Sequence, residues 1–194
     1  QRCQPHRLHR PRSEREVVRL IESVRRRGET LKVTGAGHSW SEIACTDGHL
    51  VRIDELDELI ALDRERGTVT VQAGIRLQRL VDLLAARGLT LPNLGSIAEQ
   101  SVAGVVSTGT HGTGLGTGNL SAMVRRLRLV DGRGDVLEIT RETDPELFGA
   151  ARVGLGALGV ITRVTLDCVP RFRLHERSQT ASFTEALDRI DDLV

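Results

Sequence analysis

His38 and Ser39 stand directly behind Gly35-Ala36-Gly37 in "LKVTGAGHSWSEIACTDG", at the mouth of a glycine turn that follows a short strand-like run. Successive backbone N–H groups in such a turn can converge on phosphate oxygens, a serine hydroxyl adds a further donor, and glycine lets the backbone come close to an anion. The same two glycines also suit a plain strand-to-strand turn that needs positive φ. His38 brings a nucleophilic, titratable imidazole to this turn. A loop histidine can simply be solvated or hydrogen-bonded. Zinc ligation is disfavoured because no second His or Cys lies at ligand spacing, so no metal is expected.

Two further glycine clusters carry candidate chemistry. "STGTHGTG" sets Ser107, Thr108, Thr110, His111 and Thr113 among glycines. It reads as a flexible loop or as a cradle of small donors, and its length between well-patterned segments favours the cradle. "GLGALG" at 154–159 has the spacing of a dinucleotide fingerprint, but that fingerprint needs a strand before it and a helix after it. Here a helical pattern precedes and a strand pattern follows, which argues against a Rossmann site. A phosphate loop ending in Gly-Lys-Ser/Thr is absent. Two distant cradles point to one long ligand lying between two lobes.

The elements that must position these residues follow from periodicity. Ser13 and Glu16 form a capping-box pair, and Val17, Val18, Leu20, Ile21 and Val24 recur at helical spacing until Gly28. "TLKVT" and "LVRI" are strands flanking the first glycine turn, and together they make a small α/β lobe ending near Leu56. "LIALDRERGTVTVQAG" is a hairpin on an Arg-Gly turn, and "RLQRLVDLLAARG" is a helix closed by Gly88 in the C′ position. "SVAGVVSTGTHGTGLGTG" is too glycine-rich for a plain core element and is expected to break into a loop. "MVRRLRLVDGRGDVLEIT" is a hairpin on an Asp-Gly turn, "DPELFGAARV" a short helix and "GVITRVTLDCV" a long strand. Antiparallel pairs with interspersed helices make the fold class α+β.

The 194 residues are 39% apolar and 27% charged with a net charge of +1, a soluble globular balance. Residues 1–28 hold nine Arg against three Glu, yet the whole chain has four aromatic residues and no tyrosine, so there is little to stack on bases and no nucleic-acid partner is expected. Cys3, Cys45 and Cys168 are odd in number and widely spaced, which favours a reducing, cytoplasmic setting over a disulfide framework. No apolar run reaches membrane-span length and none reads as a signal peptide, so membrane association is not expected from this segment. The helix-like pattern at "DRIDDLV" is expected to continue into further chain.

Taken together, "VTGAGHSWSEIACTDG", "VQAGIRLQRLVDLLAARGLTLPNLGSIAEQSVAGVVSTGTHGTG" and "ELFGAARVGLGALGVITRVTLDCVP" resemble the vanillyl-alcohol-oxidase-type (PCMH-type) FAD-binding domain, and within it the sugar-1,4-lactone oxidases. The resemblance runs from about Pro5 to Leu174. It implies a two-lobed domain over 1–174, with a small α/β lobe at about 5–56 and a larger mixed or antiparallel lobe with helices at 57–174. Residues 175–194 would open a truncated C-terminal substrate domain.

The resemblance also implies a site. His38 would be bonded to the 8α-methyl carbon of FAD, and Thr34, Gly35, Ala36, Gly37 and Ser39 would wrap the pyrophosphate. Gly95, Ser96 and Ser101, with Gly104, Val105, Val106 and Ser107, would line the isoalloxazine and ribityl-pyrophosphate. Val160 and Ile161 would meet the adenosine end through their backbone, and His111 would brace its loop. Such a neutral imidazole is a competent nucleophile, and the tethered ring is a stronger hydride acceptor.

The implied activity is that of a lactone oxidase or dehydrogenase, hydride transfer from a secondary alcohol carbon of an L-gulono- or D-arabinono-type lactone to the flavin, which O₂ or another acceptor reoxidises. Gly95, lacking a Cβ beside the flavin, fits an O₂ acceptor. The catalytic acid/base groups would belong to the C-terminal domain. Alternatives are an alditol oxidase acting on a polyol, or a non-catalytic FAD-binding fragment.

Overall fold

The computed structural model describes residues 3–193. Strand β1 (Arg7–His9) leads into helix α1 (Glu14–Arg26), whose Val17, Ile21 and Val24 recur on one face and are buried. Ser13 caps the helix, its Oγ accepting from Glu16 N–H at 3.3 Å. The Glu16 carboxylate accepts from Arg12 N–H at 2.8 Å instead of returning to Ser13, so only half of the expected capping box forms. Strands β2 (Leu31–Thr34) and β3 (His49–Arg52) follow, with the glycine turn and a 3₁₀ turn at Glu42–Ala44 between them. The three strands form a parallel sheet in the order β1-β3-β2. β1 was not legible in the sequence, because Arg-Leu-His has no alternating pattern and is held by ladder bonds to β3.

A second, five-stranded sheet is wholly antiparallel. It is built from β4 (Leu59–Asp63), β5 (Thr68–Gln72), β7 (Val124–Val130), β8 (Val136–Thr140) and β9 (Val160–Asp167), in the order β4-β5-β9-β7-β8. Both hairpin turns are organised by an aspartate: Asp63 Oδ1 accepts from the N–H groups of Glu65 and Arg66, and Asp131 Oδ1 from those of Arg133 and Asp135. Helix α2 (Leu77–Ala85) buries Leu77, Leu80 and Leu84 and ends at cap residue Ala86, so Gly88 lies one position beyond C′. The two-residue strands β6 (Leu89–Thr90) and β10 (Val169–Pro170) pair beyond it.

The stretch expected to be a loop from Ser101 onward instead begins as helix α3 (Val102–Ser107). Ser101 Oγ accepts from Gly104 N–H at 3.3 Å, and Val102, Ala103, Val105 and Val106 are buried. Burying four apolar side chains outweighs the roughly 1 kcal/mol that a mid-helix glycine costs. The irregular loop starts only at Thr108. Helix α4 (Pro145–Arg152), capped by Asp144, precedes β9.

A polar lock ties α1 to the five-stranded sheet. Glu14 receives Nε and Nη2 of Arg128 at 2.8 and 2.9 Å and the Thr162 hydroxyl at 2.6 Å, which joins the first turn of α1 to β7 and β9. Residues 171–182 are irregular and lead to α5 (Phe183–Asp188) and α6 (Ile190–Leu193). Leu174 and Phe183 there are 87% and 80% exposed, so this stretch adds nothing to the core. No helix among the described residues is long and apolar enough to cross a membrane.

Candidate functional site

A cleft of about 430 Å³ opens between the two sheets. One wall is the turn after β2, from Thr34 through Gly35, Ala36, Gly37, His38 and Ser39 to Trp40. The opposite wall is α3 with the caps at both its ends, where Ser101, Ala103, Gly104, Ser107 and Thr108 line the space, and the end is closed by Leu155, Gly156, Gly159 and Ile161.

The turn sits here because the β2 backbone comes against the start of α3. A Cβ on Gly35 would overlap Ser101 Oγ, so only glycine lets the two segments meet. Gly37 adopts φ +78°, which turns the chain back across the cleft mouth. The N–H groups of residues 35–39 donate to no backbone or side-chain acceptor among the described residues. Five successive donors are therefore free on one wall, a fit for a pyrophosphate. His38 is exposed on that wall, and its ring enters no hydrogen bond among the described residues. Ser39 Oγ lies 3.1 Å from Ser41 Oγ and accepts from Ser41 N–H at 3.4 Å, which shapes the turn without consuming its backbone donors.

Ten of the residues expected from the sequence line this cleft: Thr34 to Ser39, Ser101, Gly104, Ser107 and Ile161. The others stand elsewhere. Val105 and Val106 are 1% and 0% exposed and face the core, and the Val106 carbonyl is held by the Ser121 hydroxyl at 2.6 Å. Val160 is buried and borders a neighbouring hollow between α1 and the β7–β8 turn. Gly95 and Ser96 lie off the cleft lining; a Cβ on Gly95 would sit 3.2 Å from Thr110 Cγ2. That stretch reaches the cleft through Ile97 and Gln100 instead. His111 Nδ1 lies 2.8 Å from Gly112 O and braces its own loop.

Several lining residues escaped the sequence reading. Trp40 is 98% exposed at the mouth, and Ile43, Ile97 and Leu155 add apolar surface beside it. Leu155 holds φ +52°, a left-handed conformation that a leucine adopts at a cost. The cleft thus joins a donor-rich wall to an apolar mouth, which suits a ligand with an anionic centre and a flat, apolar end.

Comparison with known proteins agrees with this geometry. Residues 5–140 match a family described as FAD binding domain. The chain is 43% identical over 192 residues to the L-gulono-1,4-lactone dehydrogenase of Mycobacterium tuberculosis, covering 99% of this chain and 44% of that protein. It is 42% identical to the L-gulonolactone oxidase of Mus musculus, over 97% of this chain and 43% of the relative. It is also 42% identical to the D-arabinono-1,4-lactone oxidase of Eremothecium gossypii, over 96% of this chain and 36% of the relative. The chain thus spans less than half the length of these relatives.

Proposed function

The chain belongs to the FAD binding domain family, and on that premise we propose that it is the cofactor-holding part of an FAD-dependent oxidoreductase acting on sugar-1,4-lactones. The observation that carries the site assignment is the run of five free backbone donors at residues 35–39 with His38 among them. When bound, FAD supplies a two-electron acceptor for the hydride of a secondary alcohol carbon.

The protein's own residues have distinct parts in this reading. The N–H groups of the turn hold the pyrophosphate, and the capped start of α3 forms the floor beneath it. His38 offers a ring nitrogen as the covalent tether to the flavin 8α-methyl carbon, which fixes the ring against the wall. Ile97, Leu155 and Ile161 exclude water from its flanks. The acid/base groups and substrate contacts belong to protein beyond this chain, in keeping with its coverage of 44% of the relative from M. tuberculosis. The substrate is an L-gulono- or D-arabinono-type lactone, and O₂ or another acceptor reoxidises the flavin.

The test is acid precipitation of the intact protein followed by in-gel flavin fluorescence and peptide mapping. Fluorescence that stays with the band and maps to His38 is the expected result. A His38→Ala variant is expected to keep FAD noncovalently and release it in acid. Complete release of FAD from the wild type removes the tether, and failure of the wild type to bind FAD at all removes the site.

A further inference from the structure

Cys3 is brought beside the segment that holds Cys45 by a strand pairing that neither stretch of sequence signals. β1 and β3 run parallel with Arg7 opposite His49 and His9 opposite Val51. The ladder continues toward the N-terminus in the same register, His6 N–H donating to Asp47 O at 2.8 Å and Arg7 N–H to Gly48 O at 3.4 Å. Beyond the paired strands, Cys3 stays beside the segment that holds Cys45. The Cys3 thiol donates to Thr46 O at 3.7 Å, and Thr46 directly follows Cys45. Both cysteines are partly buried, open enough for a small oxidant, whereas Cys168 is 5% exposed beside the other sheet.

We propose that Cys3 and Cys45 close an intramolecular disulfide when the protein meets a peroxide, clasping the N-terminal strand to the wall of the cleft. One sulfur attacks a peroxide oxygen, the O–O bond breaks, and a sulfenic acid and one water form. The second sulfur attacks the first, the S–S bond forms, the S–O bond breaks and a second water leaves. The two thiols give up two electrons and two hydrogens, and the peroxide ends as two waters. Any peroxide suffices, and two-electron reduction of O₂ at a flavin supplies one.

The clasp acts on the cleft because Cys45 directly follows the turn that contributes Ile43 and Ala44 to its lining, and Lys32 Nζ already holds Ile43 O at 2.8 Å. Closing a loop of roughly 40 residues restricts the unfolded chain and favours the folded one. Loss of surrounding water, then the hydrogen bond with Cys3, push the Cys45 thiol above its ordinary value. The thiolate is the attacking form, so closure is faster as the pH rises. In a reducing compartment the pair rests as thiols and closes under oxidative load.

The experiment uses the intact protein, reduced, desalted, exposed to hydrogen peroxide, blocked with N-ethylmaleimide and digested with trypsin. The expected product joins peptide 3–7 to peptide 33–52 with the loss of two hydrogens, while Cys168 carries the label. Peptide 33–52 also contains His38, so it is sought with and without the mass of FAD. The oxidised protein melts a few degrees higher, dithiothreitol reverses the rise, and Cys45→Ser loses both the link and the rise while melting like the reduced wild type. Labelled Cys3 and Cys45 after oxidation, their recovery only as sulfinic or sulfonic acids, or links to Cys168 or between molecules each overturn the proposal.

Discussion

Gly35 and Ser101 meet so closely that a methyl group on the glycine would overlap the serine Oγ, the atom that caps α3 by accepting from Gly104 N–H. The contact joins the two walls of the cleft through a turn and a helix start that are far apart in sequence. Gly35→Ala must push these walls apart or turn Ser101 out of its cap. The expected outcome is a loss of about 1–3 kcal/mol of stability and at least about a tenfold loss of FAD affinity, read by urea unfolding and by equilibrium dialysis of FAD.

Leu155 separates binding from stability. Its φ of +52° carries backbone strain, and its side chain is half exposed at the cleft end. Leu155→Gly relieves roughly 1 kcal/mol of strain while deleting an apolar wall. Stability is expected to hold or rise, while FAD dissociates several-fold faster from a His38→Ala background that cannot tether it. Equal FAD dissociation with and without the leucine would remove it from the binding wall.

Glu14 and Arg128 lock α1 to the larger sheet. The hydrogen bond from Arg128 holds the Glu14 carboxyl below its ordinary value of 4.5, with Thr162 adding to it against the opposing effect of burial. A lowered carboxylate pKa means that the unfolded chain takes up the proton first. The lock's contribution is therefore complete above about pH 4.5 and is lost as the pH falls through the folded value. Arg128→Ala leaves the carboxylate without its partner and is expected to cost about 1–3 kcal/mol at neutral pH. Glu14→Gln should flatten the acid limb of the stability profile. Urea midpoints across pH check both.

His9 titrates in a higher window. Its Nε2 lies 2.8 Å from Nδ1 of His49, whose Nε2 lies 2.8 Å from Glu29. With Glu29 ionised, protons at both Nε2 atoms make a chain that runs from His9 through His49 to the carboxylate. Burial, then the charges of His49, Arg7 and Arg27, lower the His9 pKa from 6.5; His6 also meets His49 edge-on. The unfolded chain is protonated first as the pH drops below 6.5, so stability falls there and levels once the folded form is protonated too. His9→Gln keeps an amide donor toward His49 but cannot titrate. It should flatten this limb below pH 6.5, measured by thermal melts, and leave the lower carboxylate limb in place.

The sequence by itself determined what lies within a few residues of a turn or a helix face. The glycine turn at 35–39, the hairpins at 59–72 and 124–140, α1, α2 and α4 follow from periodicity and turn chemistry, and the glycine motifs in their order carry the family resemblance that implies the cofactor class. Tertiary structure decided what depends on pairing between distant segments. Val105 and Val106 turn to the core because Ser101 caps a helix there, while Gly95 and Ser96 lie away from the cleft because Gly95 packs toward the loop holding Thr110. β1 has no pattern of its own and becomes a strand only when β3 offers its backbone, and that pairing brings Cys3 beside the segment that holds Cys45. Local propensity acts over a few bonds, whereas strand register and wall-to-wall contact are set by which distant surfaces bury each other, and no short stretch of residues encodes that choice.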